Sequence, residues 1–462
     1  MGILLSLMLP HPPLIIPEIG RGQERKIQKT IQEYQKCACL IGEMKIDTIV
    51  LLSPHQTMYL DYFHISPGSG AKGNFASFQA GQVSMEVSYD KEFVDELCKL
   101  ASREGIPAGT AGERNPQLDH GTMVPLYFVN QFWTRYRLVR IGLSGLPLTD
   151  HYKLGQLIQE TAEKLNRRTA VIASGDLSHR LMEDGPYGYQ KEGPEYDKRI
   201  VDVMGKAAFG ELFEFSEEFC DKAGECGHRS FTIMAGALDR ISVRPCFYSY
   251  EGPFGVGYGI CSYITEGEDS CRNFLEQYEA KEKEKVRKQR EKEDIYVQLA
   301  RKTIETYIRT GDLPEVSPES LPEEMRSRRA GVFVSIKKNG KLRGCIGTIQ
   351  AVQPSIAQEI LANAVSAAVR DPRFSPIEET ELSQLTISVD VLGERERISS
   401  PDQLDVERYG VIVTKGNKRG LLLPNLEGVE RVEDQIRIAK QKAGIGQEEE
   451  VLLERFEVVR HH

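Results

Sequence analysis

The sequence predicts an α/β domain with a mostly parallel central sheet flanked by helices, followed by a smaller α+β domain. Three observations carry this. Apolar runs of strand length alternate with helical patterns in the first part of the chain, the signature of a sheet covered on both faces. A charge-dense stretch, EQYEAKEKEKVRKQREKED at 276–294, then interrupts the pattern. Beyond it the apolar runs pair as a hairpin instead of alternating with helices.

The predicted elements follow in order. Ile3–Leu9 in MGILLSLMLPHPPLIIPEIG is the first strand. It does not read as an export signal, because the first basic side chain is Arg21 and the run ends in prolines and bulky aliphatics. It is also shorter than the ~20 apolar residues that span a bilayer. A cytoplasmic protein without a membrane segment is therefore expected. Further strands are predicted at 47–53, 137–143, 169–174 and 257–264, with helices at 23–43, 91–104, 150–166 and 230–240. Within 276–294, seven acidic residues face seven basic ones, and Glu279/Lys283 and Glu284/Lys288 stand four apart with the acid first. That order supports a solvated helix. The expected division is a first domain at 1–268, a charged helical linker at 269–292 and a second domain at 293–462. In the second domain a helix at 296–310 leads to GVFVSIKKNGKLRGCIG, two strands joined at Lys338-Asn339-Gly340. A helix at 355–369 and strands at 386–392 and 410–415 complete the pattern.

Composition bounds the function. At 462 residues, with 40% hydrophobic and 27% charged side chains, the chain can bury two sizeable cores. A net charge of −9 argues against nucleic acid as the main partner. The nine cysteines are scattered without a CxxC pair, which favours reduced thiols over a disulfide framework.

The histidines are more informative. Three strand-like runs end alike: ILLSLMLP before His11, DTIVLLSP before His55 and TAVIASGDLS before His179. A fourth, His120, opens LDHGTMVPLYF. One loop histidine is ordinarily structural, but side chains beyond the carboxyl ends of successive parallel strands converge on one crevice. Pro10 and Pro54 end their strands and fix the backbone before His11 and His55. Two neutral imidazoles suit Fe, Zn, Mn or Cu, and a neighbouring carboxylate would complete the open triad associated with non-haem Fe(II). Glu225 in AGECGHRSF and Glu251 in YSYEGPFGVGYG are the carboxylate candidates, and spacing does not choose between them.

These residues carry a resemblance. SPH at His55, LDHGTMVPL at His120, SGDLSH at His179 and ECGHR at Glu225 resemble the catalytic subunit of class III extradiol (LigB-like) dioxygenases and the related Memo proteins, over residues 1–265. The resemblance implies Fe(II) held by His11, His55 and Glu225. In Memo-like proteins a cysteine serves as third ligand, which falls on Cys226. It further implies His179 as acid–base, His120 as a group binding or polarising a substrate oxygen, and Asp176 as its orienter. The substrate implied is a small aromatic molecule or an aromatic side chain.

KLRGCIGTI, AVRDPRFSPI, ISVDVL and GLLLPNL resemble the AMMECR1 family over residues 290–462. There two readings of Cys345 stand open, a reactive or binding loop in which Arg343 lowers its pKa and a small buried cysteine of the hairpin, while Asp371 and Arg373 are expected to pair as a structural turn. The fusion of the two domains is the arrangement of the AmmeMemoRadiSam system, which implies a radical SAM protein as partner; this chain has no CxxxCxxC ligand set of its own. A homodimer is among the assemblies such a chain admits.

Overall fold

The computed structural model describes residues 2–426 and 428–462. The chain folds as two compact units, Met1–Tyr278 and Glu279–His462.

The first unit is built on a six-stranded sheet of β1 (Ile3–Leu9), β2 (Thr48–Ser53), β3 (Arg137–Gly142), β4 (Thr169–Ser174), β5 (Ile241–Glu251) and β6 (Tyr258–Glu268), in the order β3-β2-β4-β1-β6-β5. The first four are parallel to one another, and β6 and β5 extend the sheet antiparallel. Alternate residues of each central strand face opposite sides. Val50, Leu52, Val171 and Ala173 enter one core with the helices Leu148–Lys164 and His228–Ala237. Ile49, Leu51, Ala170 and Ile172 enter the other, with the helices Gln28–Glu43 and His120–Val129. Two buried faces explain why these runs are apolar throughout, each large aliphatic side chain contributing about 1.5–3 kcal/mol.

Two glycines bring a helix tight against its neighbour. A Cβ on Gly155 would lie 2.0 Å from the Ile233 carbonyl, and one on Gly236 would lie 2.0 Å from the Tyr152 carbonyl. The Leu148–Lys164 and His228–Ala237 helices therefore pack backbone to backbone, and the segment just before His228 is drawn toward the carboxyl end of β4. The strand at 241–251 and the helix Glu192–Lys206 were absent from the sequence expectation.

The helix Phe274–Arg290 carries the charged stretch, and the boundary between the compact units falls within it. Glu284 pairs with Arg287 and, at 3.6 Å, with Lys288.

The second unit holds an antiparallel sheet of β7 (Val332–Lys338), β8 (Lys341–Gly347), β9 (Leu385–Ile398), β10 (Tyr409–Lys415), β11 (Lys418–Leu422) and β12 (Leu452–His461), in the order β8-β7-β9-β12-β10-β11. The β7–β8 turn has Asn339 and Gly340 at φ 52° and 77°, the left-handed pair an Asn-Gly hairpin turn requires. Val332, Val334, Ile336, Ile387 and Val389 face the helices Ile295–Thr310 and Ile356–Val369.

Candidate metal centre

β2, β4 and β1 are adjacent and parallel, so the loops that follow them open at one end of the sheet. His11, His55 and His179 come from those loops, and His120 comes from the first turn of His120–Val129. The four rings lie together. His55 and His120 are 3.9 Å apart by centroid, His11 and His55 4.7 Å, and His11 and His120 5.5 Å. Buried Tyr34 donates to the Pro10 carbonyl at 2.6 Å and so fixes the turn that delivers His11.

His11 Nε2 and His55 Nε2 are 2.9 Å apart, and Cys226 Sγ is 3.6 Å from His11 Nε2. All three donor atoms lie within 4.8 Å of one another. Hydrogen bonding assigns the His11 tautomer. Ser174 Oγ has one proton and donates it to the Gly121 carbonyl at 2.6 Å. Toward His11 Nδ1, 2.9 Å away, the hydroxyl can therefore only accept. Nδ1 carries the proton, and Nε2 presents its lone pair to His55 and Cys226. A ring held through its other nitrogen is how a histidine ligand is oriented. Two imidazole nitrogens and a sulfur converging at these separations fit a single cation bonded at about 2.0–2.3 Å.

Burial keeps the imidazoles neutral, the form that binds metal. It holds His11 well below its ordinary value, with His55, His120 and His179 adding to the effect. His120 and His179 are each pulled down to about 4, mainly by burial. Cys226 is pushed well above the ordinary thiol range by burial, then by Asp176 and Glu225. A thiolate there needs a cation beside it. Asp176 is raised to about 7 by burial. Its Oδ1 accepts from the His11 N–H at 2.8 Å, and its Oδ2 lies 4.0 Å from His11 Nε2 and 3.9 Å from His179 Nε2.

Neither expected carboxylate supplies a third donor. Glu225 Oε2 accepts from the His228 N–H at 2.6 Å and lines a small cavity with Cys220, His228 and Arg229. It thus serves the start of the His228–Ala237 helix, as an acid at a helix N-terminus should. Glu251 Oε2 accepts from Thr30 N at 2.7 Å and Thr30 Oγ1 at 2.6 Å, close to the start of Gln28–Glu43. Cys226 takes the third position because Gly224 turns the chain at φ +66° and Gly227 lies against Gly175. A Cβ on Gly175 would come within 2.2 Å of Gly227 Cα, a contact that lets Asp176 N donate to Cys226 Sγ at 3.2 Å. His11, His55, His120, His179 and Asp176 are all brought together as expected from the sequence.

Sequence reasoning passed over three contributors. Ser174 is one; a polar residue closing the apolar run TAVIAS was its only signal. Tyr187 stacks on His179 at 5.1 Å with much of its ring exposed, and Phe78 meets His120 edge-on at 5.4 Å. Both sit in stretches whose sequence carries no periodicity.

In the second unit, Arg343 does not serve Cys345. It is bound to Glu381 and to the Ser375 and Pro376 carbonyls. Asp371 and Arg373 do pair, at 2.7 Å.

Comparison with known proteins agrees with this architecture. Residues 5–261 match the family described as the catalytic LigB subunit of aromatic ring-opening dioxygenase, and residues 297–461 match AMMECR1. A Clostridium acetobutylicum protein is 41% identical over 461 residues, covering 98% of each chain. A Thermotoga maritima protein is 48% identical over 171 residues, 37% of this chain and 98% of its own. Among solved structures, an uncharacterized Escherichia coli K12 protein aligns with a TM-score of 0.38 at 15% identity, over 56% of this chain and 99% of that one. An uncharacterized Pyrococcus horikoshii protein aligns with a TM-score of 0.34 at 32% identity, over 37% of this chain and 90% of that one. No helix among the described residues is long and apolar enough to cross a membrane. The chain belongs to the family of the catalytic LigB subunit of aromatic ring-opening dioxygenases, and it carries an AMMECR1 domain as its second unit.

Proposed function

We propose that the first unit is a metal-dependent oxidoreductase acting on an aromatic or phenolic group, with His11, His55 and Cys226 as its protein ligands. The observation that carries this is the convergence of three lone-pair donors beside two further neutral histidines. Three ligands leave positions for substrate. A divalent ion there, Fe(II) in our reading with Zn, Mn or Cu as rivals, would supply Lewis acidity and, as iron, one-electron chemistry.

The remaining work falls to the chain's own groups. His179 is neutral near pH 7, and its Nε2 is buried without a hydrogen-bond partner among the described residues. It is placed to accept a phenolic proton. Asp176 holds the His11 backbone N–H, and its Oδ2, 3.9 Å from His179 Nε2, would stabilise a proton arriving on that ring. His120, its ring tilted 35° against that of His55 at 3.9 Å, would hold a substrate oxygen. Tyr187 offers an exposed aromatic face over His179, against which an aryl ring can lie.

The test is to load the full chain with Fe(II) without oxygen, then supply catechol in air. Oxygen uptake with a ring-opened product, lost in His179→Ala while bound iron is retained, supports the reading. Metal retention without turnover of any catechol overturns it.

One observation favours a second reading. A cysteine sulfur stands where the open iron triad has a carboxylate, and soft sulfur suits Zn or Cu(I) at least as well as iron. In that reading the unit is a non-enzymatic, Memo-like metal-binding scaffold whose AMMECR1 domain recruits partners. A radical SAM protein is the partner proposed under either reading. Its co-purification with wild type and His179→Ala alike, without turnover, supports the scaffold.

A further inference from the structure

The face of the second unit's sheet turned away from its helices carries a cluster of guanidinium groups. β9 gains one residue against β12 between Leu392, which pairs with Val458, and Arg395, which pairs with Phe456. Three positions apart on a regular strand, Leu392 and Arg395 would point to opposite faces, and the bulge turns them to the same one. Glu454 stands two residues from Phe456 on β12, and Arg419 two residues from Leu421 on β11, so both reach that face as well. Leu392, Ile412, Leu421 and Phe456 pack there as a small apolar floor.

A cleft of about 710 Å³ opens at the Leu392 edge of this floor. Its walls include Arg329 before β7, Ile349 and Gln350 after β8, and Glu394 and Arg395 at the bulge. A Cβ on Gly331 would lie 2.3 Å from the Thr348 carbonyl, so the glycine is what lets the loop after β8 close against this corner.

In the cleft, cationic donors outnumber anionic acceptors. Arg395 Nη1, Arg395 Nη2 and Arg419 Nη1 converge on the one side-chain oxygen of Gln350, at 2.8, 2.9 and 3.2 Å, in the amide orientation that satisfies all three. Glu454 accepts from Arg419 Nη2 at 2.8 Å but stands 3.9 Å from Arg395. Among the described residues, Arg329 donates only to the Gln353 and Ala351 carbonyls, at 3.2 Å each. Arg419 Nε is buried and has no hydrogen-bond partner among them. Arg329, Arg395 and Arg419 thus exceed Glu394 and Glu454 by one charge. The point at which two cations aim three N–H groups is held by a neutral amide. An anionic oxygen there would make charge-assisted bonds roughly twice as strong. Gln350 is exposed on its loop and is free to give way.

We propose that this cleft binds a small phosphate monoester, whose phosphate displaces the Gln350 amide from Arg395 and Arg419. Arg395 and Arg329 are the two cleft cations without a hydrogen-bonded carboxylate. A phosphate monoester brings about two negative charges and three terminal oxygens to match them. The planar forks of arginine suit that group better than a point charge would. The remaining volume takes the organic part against Ile349 and Leu392, with Glu394 as an acceptor for its hydroxyls.

Inorganic phosphate is the minimal probe of this site. The full chain is titrated with it by calorimetry at low ionic strength, and saturable binding at one site is expected. Arg395→Gln should weaken that binding at least about tenfold. Gln350→Ala, at an exposed position, should tighten it about fivefold, because the competing amide is gone. Glycerol 3-phosphate should displace the phosphate, and glycerol should not. Arg244→Gln, an exposed arginine on β5, and His11→Ala in the first unit should both leave the affinity unchanged. Absence of saturable binding, an affinity unmoved by Arg395→Gln or weakened by Gln350→Ala, or failure of glycerol 3-phosphate to compete would each overturn the proposal. Loss of binding in His11→Ala would do the same, by placing the phosphate at the metal centre.

Discussion

Replacing Ser174 with alanine should weaken metal binding without touching a ligand. The Ser174 hydroxyl is fully buried, donates to the Gly121 carbonyl at 2.6 Å and accepts from His11 Nδ1 at 2.9 Å. Its loss strands the His11 N–H and a backbone carbonyl, and it frees the imidazole to carry its proton on Nε2, where the metal must bind. Partners of this kind are worth about 10–100-fold in metal affinity, or ~1.4–2.7 kcal/mol. The two stranded groups should also cost about 1–3 kcal/mol each in stability. The assay is chelator competition with Zn(II) as a redox-inert probe, run beside denaturant unfolding. Ser6→Ala is the control. Ser6 lies on β1, is equally buried, and its hydroxyl has no hydrogen-bond partner among the described residues. That variant should keep wild-type affinity and lose no stability. If Ser174→Ala binds zinc as tightly as wild type, the tautomer argument is wrong.

Other outcomes follow from the same geometry. Gly175→Ala places a methyl against Gly227 and should push Cys226 away from His11, raising the dissociation constant for Zn(II) at least about tenfold; unchanged affinity would mean the loop has another resting place. His151 is a pH lever outside the site. Its Nδ1 donates to the Pro147 carbonyl at 3.0 Å, its Nε2 is buried, and burial pulls it from 6.5 down to about 3. Because the unfolded chain binds this proton more readily, stability is unaffected above about pH 6.5 and is lost as the pH falls toward 3, the loss amounting to about 3 kcal/mol by pH 4. His151→Leu should therefore flatten the acid limb of stability against pH in denaturant melts, and curves parallel to wild type would exclude the assignment.

The parts of the fold legible in the sequence are those whose burial is extreme. β1, β2 and β4 are covered on both faces, so their sequences are almost wholly apolar, and the histidines after them were placed by strand order alone. β5 escaped because it is an edge strand, half-exposed, with Arg244 and Pro245 in its middle. β12 escaped for a related reason: its ERFEVVRH puts charged side chains on both faces, and Phe456 is its one buried residue. The third ligand lies beyond sequence reasoning for a different cause. Glu225 and Cys226 are neighbours, and which one faces the histidines depends on the turn at Gly224 and the contact between Gly227 and Gly175. Likewise the sequence offers Arg343 as the partner of Cys345, two positions away on the same strand. Such residues share a face of a regular strand, but the pairing with β7 shifts register between Leu342 and Gly344 and leaves Arg343 unpaired, and Glu381 holds its guanidinium.

The central claim is that two histidines and a cysteine, not a carboxylate, bind the metal. X-ray absorption at the metal edge of the purified full chain tests it most directly. The account predicts a sulfur scatterer at about 2.3 Å together with imidazole nitrogens at about 2.0–2.1 Å. The sulfur signal should vanish in Cys226→Ala and persist in Glu225→Gln. A shell of nitrogen and oxygen alone in the wild type, altered by Glu225→Gln, would contradict it.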